Sequence, residues 1–493
     1  MNKKQQIFRN YCMSNVRKFM SETSLHGLKF VADTTITIWE RLFFLISFVT
    51  AFVIAINLIS NIYAKWVNTP VIIGVSPEPT SILQVPFPAI TICNMNQVLL
   101  SKVSNYSDDS VEGAVMKLLC YSEVELEGAL YESPSFKNNN LSLTEFLVQH
   151  AQPCSRMLIA CKMNAFLFNC SDLFQEVVTD EGLCCVFNVL HPDFLYKGSF
   201  QVIKNLTNND KTQPVDWDPE TGYNTNLSKS YYPRPAKGTG VSMGMSLMLN
   251  AEIDEYTCSS TNGAGFKVSL HNPIETPHIK ETGLTIPIGY ETRVRIDAVR
   301  TEAVESIRSI AIDSRQCLFK NEVELLYYKY YTRRHCESEC QSQYVYENCN
   351  CIPYNLPLVY SNSTICTAKE SFCVKDAELV WMVQTNITCR SKCLPSCFDL
   401  SFIADTFSSP LAKRNYLIPS VILRNMNKTN VTENIAILHF YYRESVFYGE
   451  LRNIYIGLTE FLSNTGGIMG LFMGFGFISI AEIVYFTFLR PIF

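Results

Sequence analysis

The chain has 493 residues, of which 47% are hydrophobic and 18% are charged. Its 41 Lys and Arg residues against 46 Asp and Glu residues give a net charge of −5. So low a charged share argues against a disordered chain, and so balanced a charge argues against binding to polyanions such as nucleic acid. With 12% aromatic residues, this composition favours membrane-spanning segments.

The first candidate span is the uncharged run at 42–62, which is long enough to cross a hydrocarbon core of ~30 Å. A cleaved signal peptide is the alternative. It is disfavoured because a polar segment of about 40 residues precedes the run, and because the run itself is longer than the apolar region of about 7–15 residues in such peptides. We therefore predict a first span at 41–63. Residues typical of a membrane interface flank it, namely Trp39, Arg41, Tyr63, Lys65 and Trp66.

The second candidate span is the run at 466–489, whose one charged residue is Glu482. A buried core helix is the alternative, but the sequence ends shortly after the run. We predict a span at 464–489, followed by a tail at 490–493. An ionisable side chain inside a span is a functional candidate.

Charge predicts the topology. Residues 1–40 carry six Lys and Arg residues against three Asp and Glu residues, which predicts a cytoplasmic N-terminal segment. With two spans, both termini are cytoplasmic and residues 64–463 are extracellular. Of the 19 cysteines, all but Cys12 lie in that part, where disulfides persist. Nine glycosylation sequons lie there too, at Asn105, Asn140, Asn169, Asn205, Asn226, Asn362, Asn386, Asn427 and Asn430.

The extracellular part has the texture of an α+β domain. Alternating apolar and polar residues after Val241 and again at 435–459 predict half-buried strands. The segment 317–335 has a helical stripe, and the polar stretch 205–240 is predicted to be a long exposed loop. A G-x-S-x-G pattern at Gly240–Gly244 is typical of hydrolases, but a loop precedes it and a strand-like stretch follows it. We therefore predict no enzyme.

Closely spaced cysteines run from Cys336 to Cys397 in the pattern C-x3-C-x8-C-x-C-x14-C-x6-C-x15-C-x3-C-x3-C. Zinc ligation is the alternative to disulfides, but no paired histidines accompany the cysteines and the compartment is oxidising. With FPAITICN at 87–94, DWDPETGY at 216–223 and GLFMGFGFISIAE at 470–482, this ladder resembles the DEG/ENaC family of amiloride-sensitive sodium channels. Within that family it is most similar to the insect pickpocket branch.

The resemblance implies a trimeric channel with two transmembrane helices and a disulfide-rich extracellular domain, in which a β-strand core carries a helical finger and thumb. It leaves Cys120, Cys154, Cys184 and Cys258 for two further bridges, in which Cys184 and Cys185 could exchange roles. The bridges that it implies are Cys93–Cys185, Cys161–Cys170, Cys317–Cys397, Cys336–Cys393, Cys340–Cys389, Cys349–Cys373 and Cys351–Cys366.

The resemblance also implies roles in the second span. Gly474, Phe475 and Gly476 match the selectivity filter, although the family has Ser where this chain has Gly476. Ordinary helix packing through small residues is the alternative role for the glycines. Glu482 matches a ring of pore carboxylates, with a contact near the inner interface as its alternative.

Gating positions follow from the same resemblance. Ser463 matches a gating position at the outer mouth, and its alternative is an N-cap of the span. His26 and Gly27 match a cytoplasmic gating motif, which from the residues alone is only a turn. Acid-sensing relatives carry a His pair where this chain has Ile72 and Ile73, so proton gating loses its best sensor.

The functional prediction is a subunit of a trimeric, amiloride-sensitive sodium or cation channel of the plasma membrane, gated by a ligand or by mechanical force and sensory in role. The expected partners are sodium ions, membrane lipid and related subunits in a homo- or heterotrimer. No cofactor, metal or nucleic acid is expected. The alternatives are a non-conducting auxiliary subunit or receptor and an ATP-gated trimeric channel, which would need a cluster of lysines.

Overall fold

The computed structural model describes residues 15–107, 110–120, 140–197, 213–223, 227, 231–384, 387–411, 418 and 420–490. The chain divides into two compact units. The first, called here the helical unit, comprises residues 1–73, 304–315 and 452–493. The second, called the sheet unit, comprises residues 74–303 and 316–451.

Fifteen α-helices are described and are numbered in chain order. They are α1 (15–22), α2 (Leu28–Ala32), α3 (Ile38–Asn68), α4 (Leu100–Val103), α5 (Val111–Cys120), α6 (Leu143–His150), α7 (Cys154–Met157), α8 (Pro192–Leu195), α9 (Ile312–Arg315), α10 (Arg333–Cys349), α11 (Ser371–Val383), α12 (Val421–Arg424), α13 (Lys428–Asn434), α14 (Leu458–Met473) and α15 (Phe477–Val484).

The described strands are numbered likewise. They are β1 (Val71–Ser81), β2 (Ala89–Asn94), β3 (Leu158–Met163), β4 (Phe166–Phe168), β5 (Phe174–Thr179), β6 (Gly182–Phe187), β7 (Gln213–Pro214), β8 (Trp217–Asp218), β9 (Gly222–Tyr223), β10 (Tyr231–Tyr232), β11 (Met245–Asn250), β12 (Gly265–His271), β13 (Leu284–Pro287), β14 (Tyr290–Ala303), β15 (Asp399–Pro410), β16 (Ile435–Tyr442) and β17 (Val446–Ile454).

The longest helix of the helical unit is α3, with 31 residues. At ~1.5 Å per residue it is about 46 Å long, which exceeds a hydrocarbon core of ~30 Å. It begins with a capping box, in which the Thr37 hydroxyl accepts from the backbone N–H of Glu40 and the Glu40 carboxylate accepts from that of Thr37. Its far end packs on α14 through Trp66, whose ring stacks on Phe461 with centroids 4.8 Å apart.

The second candidate span is bent. Helix α14 and the helical stretch Phe477–Leu489 meet at an angle of 71°. By length and composition, α3 is one helix that could cross a membrane, and the bent pair is the other candidate. The predicted second span at 464–489 is therefore interrupted at 474–476, a segment called here the helix break.

The sheet unit has one core shared by two sheets. The larger sheet has the strand order β1-β17-β14-β16-β11-β3-β4, with β15 paired to β14, and the smaller has the order β13-β12-β2-β6-β5. The strands predicted after Val241 and at 435–459 are confirmed. Strand β2 is buried along its whole length, as expected of a continuous apolar run between layers. The larger sheet contributes Leu438 and Phe440 to the core, and the smaller contributes Ile92 and Phe266.

The helix predicted at 317–335 is wrong, because α10 begins only at Arg333. The segment before Arg333 forms turns. Several of its backbone N–H groups donate to a side chain and not to the carbonyls of a helix. The Glu339 carboxylate accepts from the N–H groups of Leu326, Tyr327 and Tyr328 at 2.8, 2.7 and 3.2 Å. One buried acid on α10 thereby holds the segment in a non-helical path.

The predicted bridge Cys93–Cys185 is also wrong. In the antiparallel register of β2 and β6, Cys93 lies opposite Cys184, while Cys185 lies opposite Ile92. Successive side chains of a strand point to opposite faces, so Cys185 faces away from Cys93. Cys93 bonds to Cys184, and Cys185 bonds to Cys154. The other bridges are Cys120–Cys258 and the six further pairs that the resemblance implies, Cys161–Cys170, Cys317–Cys397, Cys336–Cys393, Cys340–Cys389, Cys349–Cys373 and Cys351–Cys366.

The stretch at 205–240 is predicted to be an exposed loop, but several of its described residues form short strands and are buried. Its described residues include β7 to β10, and Trp217 and Asp218 are only 3% and 4% exposed. Lys320 donates to the Asp218 carboxylate at 2.7 Å. Burial alone would raise the pKa of Asp218, but hydrogen bonds from Lys320 and Thr221 outweigh it and lower that pKa. An ion pair thus fixes this stretch within the sheet unit.

Candidate functional site

The helix break lies within the helical unit. Gly474 ends α14 in the left-handed conformation, with φ +66°, which glycine adopts without strain. The Phe475 N–H donates to the Met469 carbonyl, six residues earlier, at 3.3 Å, and the Gly474 N–H donates to the Gly470 carbonyl at 2.9 Å. Gly476 is extended and begins α15. Local sequence therefore produces the interruption, because two glycines flank a residue whose N–H closes the previous helix.

Ser479 stabilises the start of α15, the helix that follows the break. Its hydroxyl accepts from the Gly476 N–H at 3.2 Å and lies 3.4 Å from the Gly474 carbonyl. It is 2% exposed. The residue links the two sides of the break and so holds the bend without a continuous helix.

A turn from the N-terminal segment packs on the break. The His26 N–H donates to the Met473 carbonyl at 2.9 Å, and Gly27 turns the chain with φ 82°. The His26 ring lies directly over Gly474, since a Cβ added at Gly474 would be 2.6 Å from ring atoms. The structure therefore brings together the predicted gating motif and the predicted filter.

The same turn holds the pore-charge candidate. One carboxylate oxygen of Glu482 accepts from the Thr23 hydroxyl at 3.0 Å, the Ser24 N–H at 2.9 Å and the Ser24 hydroxyl at 3.1 Å. The Ser24 hydroxyl also lies 2.8 Å from that of Ser479. Residues 23–27 thus bind both the break and Glu482, and they are called here the N-terminal turn.

Sequence reasoning did not single out Thr23, Ser24 or Ser479. The signal that could have found Ser479 is local, since a small hydroxyl residue three positions after a glycine restart is a capping pattern. No pattern in the sequence joins Thr23 and Ser24 to Glu482, because 458 positions separate Ser24 from that residue.

Ser463 lies inside α14 and is exposed. It is not an N-cap, since the N-cap of α14 is Gly457. On the same helix, Gly466 and Gly467 have open space where a side chain would be, with no atom within 4 Å. Ser463 stays a predicted gating residue. It lies on a helix whose Gly466 and Gly467 have no neighbouring atoms within the same chain.

The remaining predicted residues make no contact that defines this site. Ile72 and Ile73, at the positions of the missing His pair, are exposed on β1. Asn205, Asn226 and Asn386 lie outside the described residues. Six sequon asparagines are described, and all are exposed: Asn105, Asn140, Asn169, Asn362, Asn427 and Asn430.

Chemically, the site offers oxygen ligands. The break interrupts the regular bonding of backbone carbonyls, and the carboxylate of Glu482 follows within α15. Oxygen atoms of this kind favour cations over anions. Across the described ranges there is no group of three or more His, Cys, Asp or Glu side chains that could hold a metal ion. The Gly240–Gly244 pattern forms a turn that leads into β11, without the helix that a nucleophile elbow requires.

Fold and site together define a disulfide-rich channel subunit. The sequence profile described as amiloride-sensitive sodium channel matches residues 19–486. The chain is 37% identical over 481 residues to Pickpocket protein 28 of Drosophila melanogaster, a match that covers 96% of this chain and 78% of the relative. The chain therefore belongs to the amiloride-sensitive sodium channel (DEG/ENaC) family, whose members are plasma-membrane ion channels and not enzymes.

More distant relatives span the same length. The chain is 23% identical over 496 residues to Acid-sensing ion channel 1C of Danio rerio. The match covers 95% of this chain and 82% of the relative. It is also 23% identical over 489 residues to the Bile acid-sensitive ion channel of Mus musculus, at 95% and 86%. The family's members thus include channels named for different stimuli.

Proposed function

We propose that this chain is a subunit of a trimeric, amiloride-sensitive sodium or cation channel of the plasma membrane. Its termini lie in the cytoplasm, residues 64–463 are extracellular, and its stimulus is a ligand or mechanical force in a sensory cell. The pore is lined by α14 and α15, with the filter at Gly474–Gly476 and Glu482 as a ring of charge. A bent helix that is bare along Gly466 and Gly467 supports assembly of several copies, because one chain cannot enclose a path.

One observation carries this proposal, namely the helix break with Glu482 held close to it. In the helical unit, the N-terminal turn contacts the break through His26 and binds Glu482 through Thr23 and Ser24. Movement of that turn would change the backbone around the filter and the position of the carboxylate together. This is a direct route by which a cytoplasmic segment gates a cation path.

The test is reversal potentials under sodium, potassium and chloride substitution, with the chain expressed alone and with related subunits. We expect a cation current that amiloride blocks. Glu482→Gln should reduce that current several-fold, because it removes charge attraction near the path. Glu433→Gln is the matched control, since Glu433 is an exposed carboxylate of the sheet unit. A current that follows chloride would contradict the proposal.

Gly476→Ser restores the residue that the family has at the third filter position. We expect it to keep or sharpen sodium over potassium selectivity, because Gly476 is already extended and open space surrounds it. An unchanged conductance in both this variant and Glu482→Gln would remove the break as the filter. Current only in the presence of a related subunit, unaffected by either substitution, would favour the alternative of a non-conducting auxiliary subunit.

A further inference from the structure

A cavity of about 1070 Å³ lies on the outer face of the larger sheet, beneath the short helices α12 and α13. Its apolar wall is formed by Ala160, Met248 and Ile437 from the sheet and by Leu423 and Val431 from the helices. The volume slightly exceeds the ~300–1,000 Å³ typical of small-molecule sites. The sheet unit thus contains a ligand-sized space far along the chain from the helix break.

Strand register gives this cavity two unlike halves. Across β3, β11 and β16, Lys162, Ser246 and His439 pair in one row. Two residues along the same strands, Ala160, Met248 and Ile437 pair in the next row, which ends at Glu291 of β14. Because side chains two apart share a face and lie ~7 Å from each other, a polar row lies beside an apolar row. The wall is therefore amphipathic along the strand direction.

The charged side chains that line the cavity are mostly positive. Lys162 of that row lines the cavity, and α12 and α13 add Arg424 and Lys428. Within the described chain, none of these three cations forms an ion pair. The one carboxylate on the wall, Glu291, already lies 3.3 Å from the His439 ring and 3.6 Å from Arg293. Three unpaired cations beside one occupied acid favour an anionic group on the ligand.

We propose that this cavity binds a long-chain fatty acid. Its carboxylate lies at Lys162, Arg424 and Lys428, and its acyl chain lies over Met248 and Ile437. A small polar anion would leave the apolar row uncovered, and a neutral lipid would leave the three cations without a counter-charge. Only an amphiphile with an anionic head matches both rows.

The test uses the full-length protein in nanodiscs and a palmitate probe that carries a diazirine at the far end of its acyl chain. We expect the probe to label peptides from β11 and β16. Oleate should compete with this labelling, and oleyl alcohol should not. The double variant Lys162→Gln/Arg424→Gln should weaken labelling about tenfold, because two charge-assisted contacts are lost. Lys369→Gln, an exposed cation outside the cavity, is the matched control and should label as the unmodified chain does.

The tail is tested separately. Met248→Trp should abolish labelling of the cavity while leaving the cations in place, and Ile437→Phe provides a second variant should the first fail to fold. Labelling scattered over membrane segments, or unchanged in the double variant, would overturn the proposal. Labelling of β11 and β16 that appears only when the assembly is dissociated would also overturn it, since another copy would then occupy the face. None of these results depends on whether the chain conducts ions.

Discussion

At the scale of single residues, one buried histidine makes folding depend on pH. His335 is fully buried, its ring stacks on Tyr328 at 3.7 Å, and its Nδ1–H donates to the Tyr330 carbonyl at 3.0 Å. Its other ring nitrogen has no partner. Burial, joined by nearby His278, lowers the pKa of His335 to about 3, although the hydrogen bond to the Tyr330 carbonyl acts to raise it. The folded chain therefore holds this ring neutral.

A depressed histidine pKa sets the sign of the effect. Above about pH 6.5 the ring is neutral in both the folded and unfolded states, and below that only the unfolded state gains the proton. We expect His335→Gln to flatten the decline of the melting temperature between pH 6.5 and 4.5. The difference should approach ~1.4 kcal/mol per pH unit, because one proton is no longer taken up on unfolding. Melting followed by tryptophan fluorescence measures it.

The control is Tyr328→Phe, which keeps the stacked ring and removes only a hydroxyl that lies 3.4 Å from that of Thr276. It should lower stability at every pH without changing the slope. Burial raises the pKa of Glu275 to about 7. Its protonation as the pH falls therefore stabilises the folded state, which opposes the effect of His335 in the unmodified chain and in Tyr328→Phe alike. A slope in His335→Gln equal to that of the unmodified chain would contradict the assignment.

Gly474 is the residue on which the contact between the N-terminal turn and the break depends. An Ala side chain there would be strained at φ +66° by ~1–2 kcal/mol and would meet the His26 ring at 2.6 Å. We expect Gly474→Ala to displace His26 and to change channel open probability several-fold at normal surface expression. Gly263→Ala, where the nearest atom is 3.8 Å away, is the control. Wild-type gating in Gly474→Ala would show that the contact does not matter.

At the scale of elements, α14 is the helix that a second and third copy would approach in the proposed trimer. Ser463 is exposed on it, and a large side chain there would obstruct closure where three helices converge while an open pore has room. We predict that Ser463→Phe gives extra resting current, measured as the amiloride-sensitive current without stimulus. Leu462→Phe places the same ring ~100° around the helix and should have little effect. No extra current in Ser463→Phe would make its gating role wrong.

At the scale of the whole molecule, topology makes a prediction about carbohydrate. The six described sequon asparagines are exposed, as attachment of a glycan requires. We expect glycans at several of the nine sequons and none on residues 1–40, because only the extracellular side meets the glycosylation machinery. Glycosidase treatment of membrane-expressed protein should increase its mobility, and Asn105→Gln and Asn427→Gln should each remove one step. An unchanged mobility would contradict the extracellular assignment of 64–463.

The sequence by itself determined the features that depend on composition and local pattern. An uncharged run of sufficient length is a membrane candidate in any context, and α3 contains the predicted span at 41–63. Alternation of period two predicts β11, β12 and β14. In β14 every second residue from Thr292 to Ala298 is buried, as the alternation predicts, whereas β11 and β12 are buried on both faces. The glycines of the second run are local causes of a helix end, but their pattern does not predict the 71° bend.

Tertiary structure decided the features in which distant residues compete for the same groups. The stripe at 317–335 is helical in pattern, yet the Glu339 carboxylate takes the donors that helical carbonyls would have used. Adjacent Cys184 and Cys185 are equivalent in sequence, and only the register of β2 with β6 decides which one meets Cys93. Glu482 and the N-terminal turn lie far apart in the sequence. Their contact is a product of packing, which no spacing along one sequence encodes.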